Sequence, residues 1–205
     1  MTHGRFCKAF TPEFIGRGIA KELFYDEVAR QLNARVLVSS DKLPQHYKKF
    51  CKPNTMDGIV LFKSPRAAVW SDFKNERRSI VDSLKRWTSL YKNIIEWAPT
   101  FSKRIIFLSY HDIAQNPLWA LEIINQSFAL AEEAPKSIDF DEIPYCFIGG
   151  NPGGHQKKGI VASDEGGGWT KRSEKDFGER SKLIIDSDLE AKSTYDTLMQ
   201  RATRL

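Results

Sequence analysis

Two short apolar runs separated by a long amphipathic stretch set the strongest limit on what this chain can fold into. Gly58 to Lys63 (GIVLFK) is uninterrupted after Asp57-Gly58, and Lys103 to Tyr110 (KRIIFLSY) repeats the pattern. Runs of this length, rich in β-branched residues, predict strands buried on both faces. Between them the pattern from Ala67 to Trp97 is helical. Ile80, Leu84, Trp87, Tyr91 and Ile94 follow i, i+4, i+7, i+11 and i+14, a single apolar stripe. Strand, helix and strand in that order imply a parallel βαβ unit.

The flanks extend the alternation. Arg35 to Ser40 (RVLVSS) predicts a further strand ahead of the first run. Thr11-Pro12-Glu13 is a helix start, with a hydroxyl N-cap, proline at the first helical position and then an acid. Ile15, Ile19, Leu23, Phe24, Val28 and Leu32 continue that helix to about Asn33. Asn116-Pro117 opens another helix, with Leu121, Ile124 and Phe128 inward. A last helix is predicted over Glu174 to Arg201, with a break near Asp186. The expectation is one α/β domain over residues 1–205, its sheet covered by helices on both faces. Residues 1–10 are expected to be poorly ordered and residues 149–170 to form a long glycine-rich loop, a length that marks function or disorder.

Composition narrows the class. The chain has 205 residues, 41% hydrophobic and 28% charged, with 31 Lys and Arg against 26 Asp and Glu for a net charge of +5. Those values exclude a collagen-like or disordered chain. The positive surplus suits an anionic ligand, but the cations are not gathered into one stripe and no nucleic-acid-binding motif occurs, so no nucleic-acid partner is expected. No apolar run approaches the roughly 20 residues that span a bilayer, and residues 1–10 carry no apolar leader. Cys7, Cys51 and Cys146 are odd in number and widely spaced, which argues against a disulfide scaffold or zinc ribbon and favours a reducing cytoplasm.

In parallel α/β sheets ligands bind outside the carboxyl ends of the strands. That rule singles out Ser39-Ser40-Asp41, Lys63-Ser64-Pro65-Arg66 and Tyr110-His111-Asp112. Lys63, Arg66, Ser71 and the free amides of the following helix could face one anion, because a helix N-terminus favours negative charge. The plainer alternative is a helix start with solvated basic side chains. The segment Gly149 to Gly159 (GGNPGGHQKKG) could wrap an anion with backbone amides and lysines, or it is a surface loop. Tyr110 could stack on a ligand or merely close the strand. No GxxxxGK[ST] and no GxGxxG after a strand is present. His3, His46, His111 and His155 lack metal-ligand spacing, and no metal is expected.

Taken together, these segments resemble the sulfotransferase family, which transfers a sulfuryl group from 3′-phosphoadenosine 5′-phosphosulfate (PAPS). GIVLFKSPRAAVWSDF resembles the family's 3′-phosphate-binding segment, with Lys63 at the position of its arginine, Pro65-Arg66 at its P-R step and Ser71 at its serine. RIIFLSYHDIAQNP resembles the family's tyrosine-containing strand end, with Tyr110 and Asp112 at the matching places. IGGNPGG…KKGIVASDEGGGWTK resembles its late loop, with Lys157, Lys158, Gly159 and Trp169 as counterparts. The likeness runs from about Arg35 to Leu198. Lys63 keeps the charge of an arginine but not its bidentate fork. The family's 5′-phosphosulfate loop has no counterpart in the ten residues before Thr11, so an N-terminally incomplete domain is expected.

The resemblance implies a P-loop NTPase-like three-layer sandwich with a parallel central sheet. It implies PAPS as donor and adenosine 3′,5′-bisphosphate as product. Lys63, Arg66, Ser71, Tyr110, Lys157, Lys158, Gly159 and Trp169 would hold the nucleotide, and Asp41 is the local candidate for the base. The acceptor would be a hydroxyl or amine on a carbohydrate, a small alcohol or phenol, or a protein. The alternative is a non-catalytic nucleotide-binding or protein-interaction module on the same fold. A cytoplasmic location is expected, or the Golgi lumen if an anchor has been lost from the N-terminus.

Overall fold

A computed structural model describes residues 17–20, 23–37, 53–73, 78–131, 133–134, 136–137 and 181–203. These fall into two units that divide between Met56 and Asp57. The first holds helix α1, Phe24–Leu32. Its buried Val28 packs with Ile19, Phe24 and Leu37. The helix ends where Asn33 turns left-handed at φ 49°. Asn33 N then donates to the Arg30 carbonyl and Ala34 N to the Ala29 carbonyl, the paired bonds of a Schellman stop. Residues 17–20 are not helical, and Gly18 at φ 61° breaks the predicted run from Thr11. Thr11-Pro12-Glu13 itself lies outside the described residues. Residues 35–37 are not a strand either, so the β-branched run there did not find a ladder to join. Residues 38–40 lie outside the described residues.

The second unit is mixed α/β around a two-stranded parallel sheet. Strand β1 is Met56–Phe62 and strand β2 is Ser102–Ser109. Two helices connect them, α2 (Pro65–Phe73) and α3 (Ile80–Phe101). The sequence reads as one helical pattern from Ala67, but it is broken. Ser79 starts α3 afresh, its side chain accepting from Asp82 N, and Asp82 supplies the first-turn acid. Helix α4 (Tyr110–Gln115) and helix α5 (Pro117–Phe128) come after β2. Asn116 caps α5 by accepting from Trp119 N, and Pro117 takes the first position, as the sequence predicts. Residues 181–187 are helical, Asp188 accepts from Ala191 N, and α6 runs over Leu189–Arg201. The predicted break in the last helix therefore falls at Asp188, two residues beyond Asp186.

The sheet separates two apolar clusters. Val60 and Phe62 of β1, with Ile105 and Phe107 of β2, face a cluster built from α2, α3 and α6 that includes Val69, Trp70, Leu84, Trp87 and Leu198. Ile106 and Leu108 of β2 face the other way, onto Trp119, Ala120 and Ile124. Tyr91 and Ile95 of α3 pack on the first cluster, so the stripe closes on Ile95 rather than Ile94. At the start of the strands Gly58 lies against Ser102, where an added Cβ would meet Oγ at 2.7 Å. A side chain at position 58 would therefore have to displace the Ser102 hydroxyl.

The α3 helix carries Pro99 near its end. Proline has no N–H, so the Ile95 carbonyl four residues back loses its helical partner. Arg201 of α6 supplies a replacement, Nη1 donating to that carbonyl at 3.0 Å. The same guanidinium lies 5.7 Å from the Phe107 ring centre. Beyond it Ala202 pairs with Phe107 in a parallel bridge, and Thr203 N donates to the Phe107 carbonyl. Among the described residues no helix is long and apolar enough to cross a membrane.

Candidate anion-binding site

The carboxyl ends of β1 and β2 bring two of the sequence-predicted residues together. Lys63 comes directly after β1, and Tyr110 opens α4 directly after β2. The Lys63 ammonium lies 4.0 Å from the centre of the Tyr110 ring, a cation–π contact. Its position is fixed by the backbone, because Trp87 Nε1 donates to the Lys63 carbonyl at 3.1 Å. Tyr91 Oη donates to the Leu61 carbonyl at 3.0 Å, two residues earlier. Both ring tips come from the apolar stripe of α3, so the helix that builds the core also locks the end of β1. Sequence reasoning treats Trp87 and Tyr91 as core alone. The signal it passes over is that buried Trp and Tyr carry polar tips that need partners.

The turn from β1 into α2 is capped from within. Ser64 Oγ accepts from Ala67 N at 3.2 Å, and the Ser64 carbonyl accepts from Ala68 N at 3.0 Å. With Pro65 at the first position, this is a serine-capped helix start two residues from Lys63. Ser71 falls seven residues after Ser64, on the same face of α2 as Ser64, Ala67 and Ala68, and is half-buried. Along the axis it stands about 9 Å from Pro65 at 1.5 Å per residue. Among the described residues the Lys63 ammonium has no carboxylate partner.

Arg66 is differently placed. Its Nη2 donates to both oxygens of Asp186, at 2.9 and 2.8 Å. Asp186 belongs to the helical residues 181–187, whose Ile185 is buried in the main cluster. Nothing in the sequence links positions so far apart, and Asp186 has no local motif, so this partner was not legible. His111 and Asp112 lie in the first turn of α4, and the Asp112 carbonyl accepts from Asn116 N. Asp41, Lys157, Lys158, Gly159 and Trp169 lie outside the described residues, as does the whole of 149–170.

A cleft of about 300 Å³ lies elsewhere, along the exposed side of α3 between Lys85 and Glu96 and against Asp188 and Glu190. None of the sequence-predicted residues lines it. Lys92 donates to Glu190 across it at 2.5 Å, and this bond raises the lysine's pKa above its ordinary value. Lys92 and Glu190 are paired across it, and Thr88 of its lining is buried with no described partner for its hydroxyl. Among the described residues no three His, Cys, Asp or Glu side chains gather as a metal site would require. No family model, no curated protein and no solved structure matches this chain.

Proposed function

We propose that the turn from β1 into α2 binds the 3′-phosphate of an adenosine bisphosphate, and that the chain is a PAPS-dependent sulfotransferase. One observation carries the reading: a lysine ammonium held over a tyrosine ring at the strand ends, two residues before the first turn of a helix, with no described carboxylate to neutralise it. Such a place suits a phosphate, which a cation and a helix N-terminus both attract. The two-stranded parallel sheet with helices would then be part of a three-layer sandwich of the P-loop NTPase-like kind.

In this reading Lys63 and Ser71 hold the 3′-phosphate and Tyr110 borders the nucleotide. The family resemblance would add Lys157, Lys158, Gly159 and Trp169 to the nucleotide-holding residues and make Asp41 the base for the acceptor proton. The donor supplies an activated sulfuryl group, whose bond to the phosphate oxygen breaks as the acceptor oxygen or nitrogen bonds to sulfur. The acceptor is a hydroxyl or amine on a carbohydrate, a small alcohol or phenol, or a protein, and the setting is cytoplasmic.

Calorimetric titration with adenosine 3′,5′-bisphosphate, against AMP, tests the site. Preference for the bisphosphate is expected, and Lys63→Ala combined with Ser71→Ala should abolish it. Equal binding of both nucleotides, or of neither, would sink the assignment. Formation of a sulfated product then separates an enzyme from a non-catalytic binding module on the same fold.

A further inference from the structure

A threonine inside a helix can satisfy its hydroxyl on the backbone, bonding a carbonyl three or four residues back. Thr194 and Thr197 of α6 do so at 2.8 and 2.9 Å, on the Glu190 and Ser193 carbonyls, and Thr100 of α3 bonds the Trp97 carbonyl. Thr88 of α3 does not. It is 5% exposed, and its Oγ1 has no described hydrogen-bond partner. A buried hydroxyl left unpaired is costly, so this one calls for a partner from outside the helix. Thr88 belongs to the lining of the cleft between α3 and α6. Four residues on, Lys92 stands on the same face of α3 and reaches across the cleft to Glu190. The two side chains are 47% and 63% exposed, and an ion pair so open to water is weak and separates at little cost. Ser89 and Asn93, again four residues apart, line the same cleft and make no described side-chain bond.

We propose that this cleft binds an uncharged polyhydroxyl compound, which inserts between Lys92 and Glu190 and gives the Thr88 hydroxyl its missing partner. The site is separate from the strand ends and does not rest on the phosphate reading. Charge selects the class of ligand. The cleft is lined by two lysines and three acidic residues. An anion meets a net negative wall, and on taking Lys92 it strands the Glu190 carboxylate. A cation must displace Lys92, an ammonium already tethered on that carboxylate. A hydroxyl group both donates and accepts. Donating to Glu190 while accepting from Lys92, it replaces the pair and strands neither charge. Opening the pair also uncovers Thr88 for a neighbouring hydroxyl of the same ligand, and Ser89 and Asn93 offer further donors and acceptors. A volume of about 300 Å³ is at the small end of ligand pockets, which suits one ring-sized polyol rather than a chain.

The test follows backbone amide resonances of the full chain on titration with myo-inositol, and separately with inorganic phosphate and methylammonium. Polyols raise unfolding temperatures by exclusion from any protein surface, so thermal shifts do not read this binding. Saturable shifts at Thr88, Ser89, Lys92 and Asn93 are expected with the polyol alone. Thr88→Val should weaken binding by about fivefold, the loss of one hydrogen bond, and Thr88→Ser should keep it. Thermal unfolding without ligand checks that each variant folds. Should Thr88→Val not fold, Ser89→Ala with Asn93→Ala, at two exposed positions, should weaken binding by a similar factor. Polyol shifts that grow linearly without saturating would show that no site exists. Equal binding by Thr88→Val would remove the hydroxyl from the site, and saturable binding of phosphate or methylammonium in place of the polyol would overturn the ligand class.

Discussion

The two strands of the sheet have similar apolar sequences and different surroundings. β2 is closed on both faces: Phe107 lies against the cluster of α2, α3 and α6, and Leu108, fully buried, lies against Trp119 of α5. Among the described residues β1 is packed on one face only. Phe62 is 1% exposed, while Ile59 and Leu61, which point the other way, are 41% and 55% exposed. The alternation along β1 is that of a strand with one solvated side, although Gly58 to Phe62 carry no polar side chain. An uninterrupted apolar run therefore marks a strand without telling how many layers cover it. The cover is set by the next elements along the chain. α4 and α5 come directly after β2 and fold back on it, whereas α2 and α3 both return to the opposite face.

The largest test of that contrast substitutes neighbours on one strand. Phe62→Ala should cost about 3–5 kcal/mol in denaturant unfolding, the range for a buried phenylalanine. Leu61→Ala, one residue away, should cost less than about 1 kcal/mol, because most of that side chain already faces water. Similar losses at the two positions would mean that Leu61 is covered in solution. On β2 adjacent positions should behave alike. Leu108→Ala should cost about 2–5 kcal/mol, and Phe107→Ala about 3–5 kcal/mol, since both faces are packed.

A second difference lies in how each strand is reinforced. β1 receives ring-tip donors from α3 at Leu61 and, just past its end, at Lys63, and β2 receives the chain segment after α6. Arg201 joins that segment to α3 by bonding the carbonyl that Pro99 leaves open. Arg201→Met should cost about 1–2 kcal/mol, as expected for a charged donor to a carbonyl. The cost should shrink in a Pro99→Ala background, where the helix supplies its own N–H. An unchanged cost would assign the role of Arg201 to the Phe107 ring instead.

These reinforcements also show where the sequence was readable. Local patterns found β1, β2, the α3 stripe and the Asn116-Pro117 start, because strand runs and caps act within a few residues. The same local rules contained the break before α3: Ser79 with Asp82 three residues on is an N-terminal signature, overlooked inside a longer helical pattern. Arg35 to Leu37 failed in the opposite sense. β-propensity describes a residue that fits a pleated, half-buried surface, and a strand forms only where a partner offers that surface. At the site, Lys63 and Tyr110 were reachable from the rule that ligands gather at strand ends, while Asp186 and the helical lock of Trp87 on Lys63 depend on tertiary contacts that no local spacing encodes.

The smallest expected effect is at the opposite end of the sheet, where the two strands begin. Arg104 of β2 donates to Asp57 of β1 through Nε at 2.9 Å and through Nη2, and Nη1 donates to the Ser127 carbonyl at 3.1 Å. The hydrogen bond to Asp57 raises the guanidinium's pKa above its ordinary value. Asp57→Asn keeps the shape and removes the charge. The loss should be below about 1 kcal/mol and should fade as salt rises, since both groups are partly solvated. Arg104 retains Ser127 and the Phe128 ring at 5.4 Å, so it is not left stranded. A loss well above about 2 kcal/mol that salt does not reduce would place the pair in a dry environment. The open face of β1 would then be covered in solution, and the contrast between the two strands would disappear.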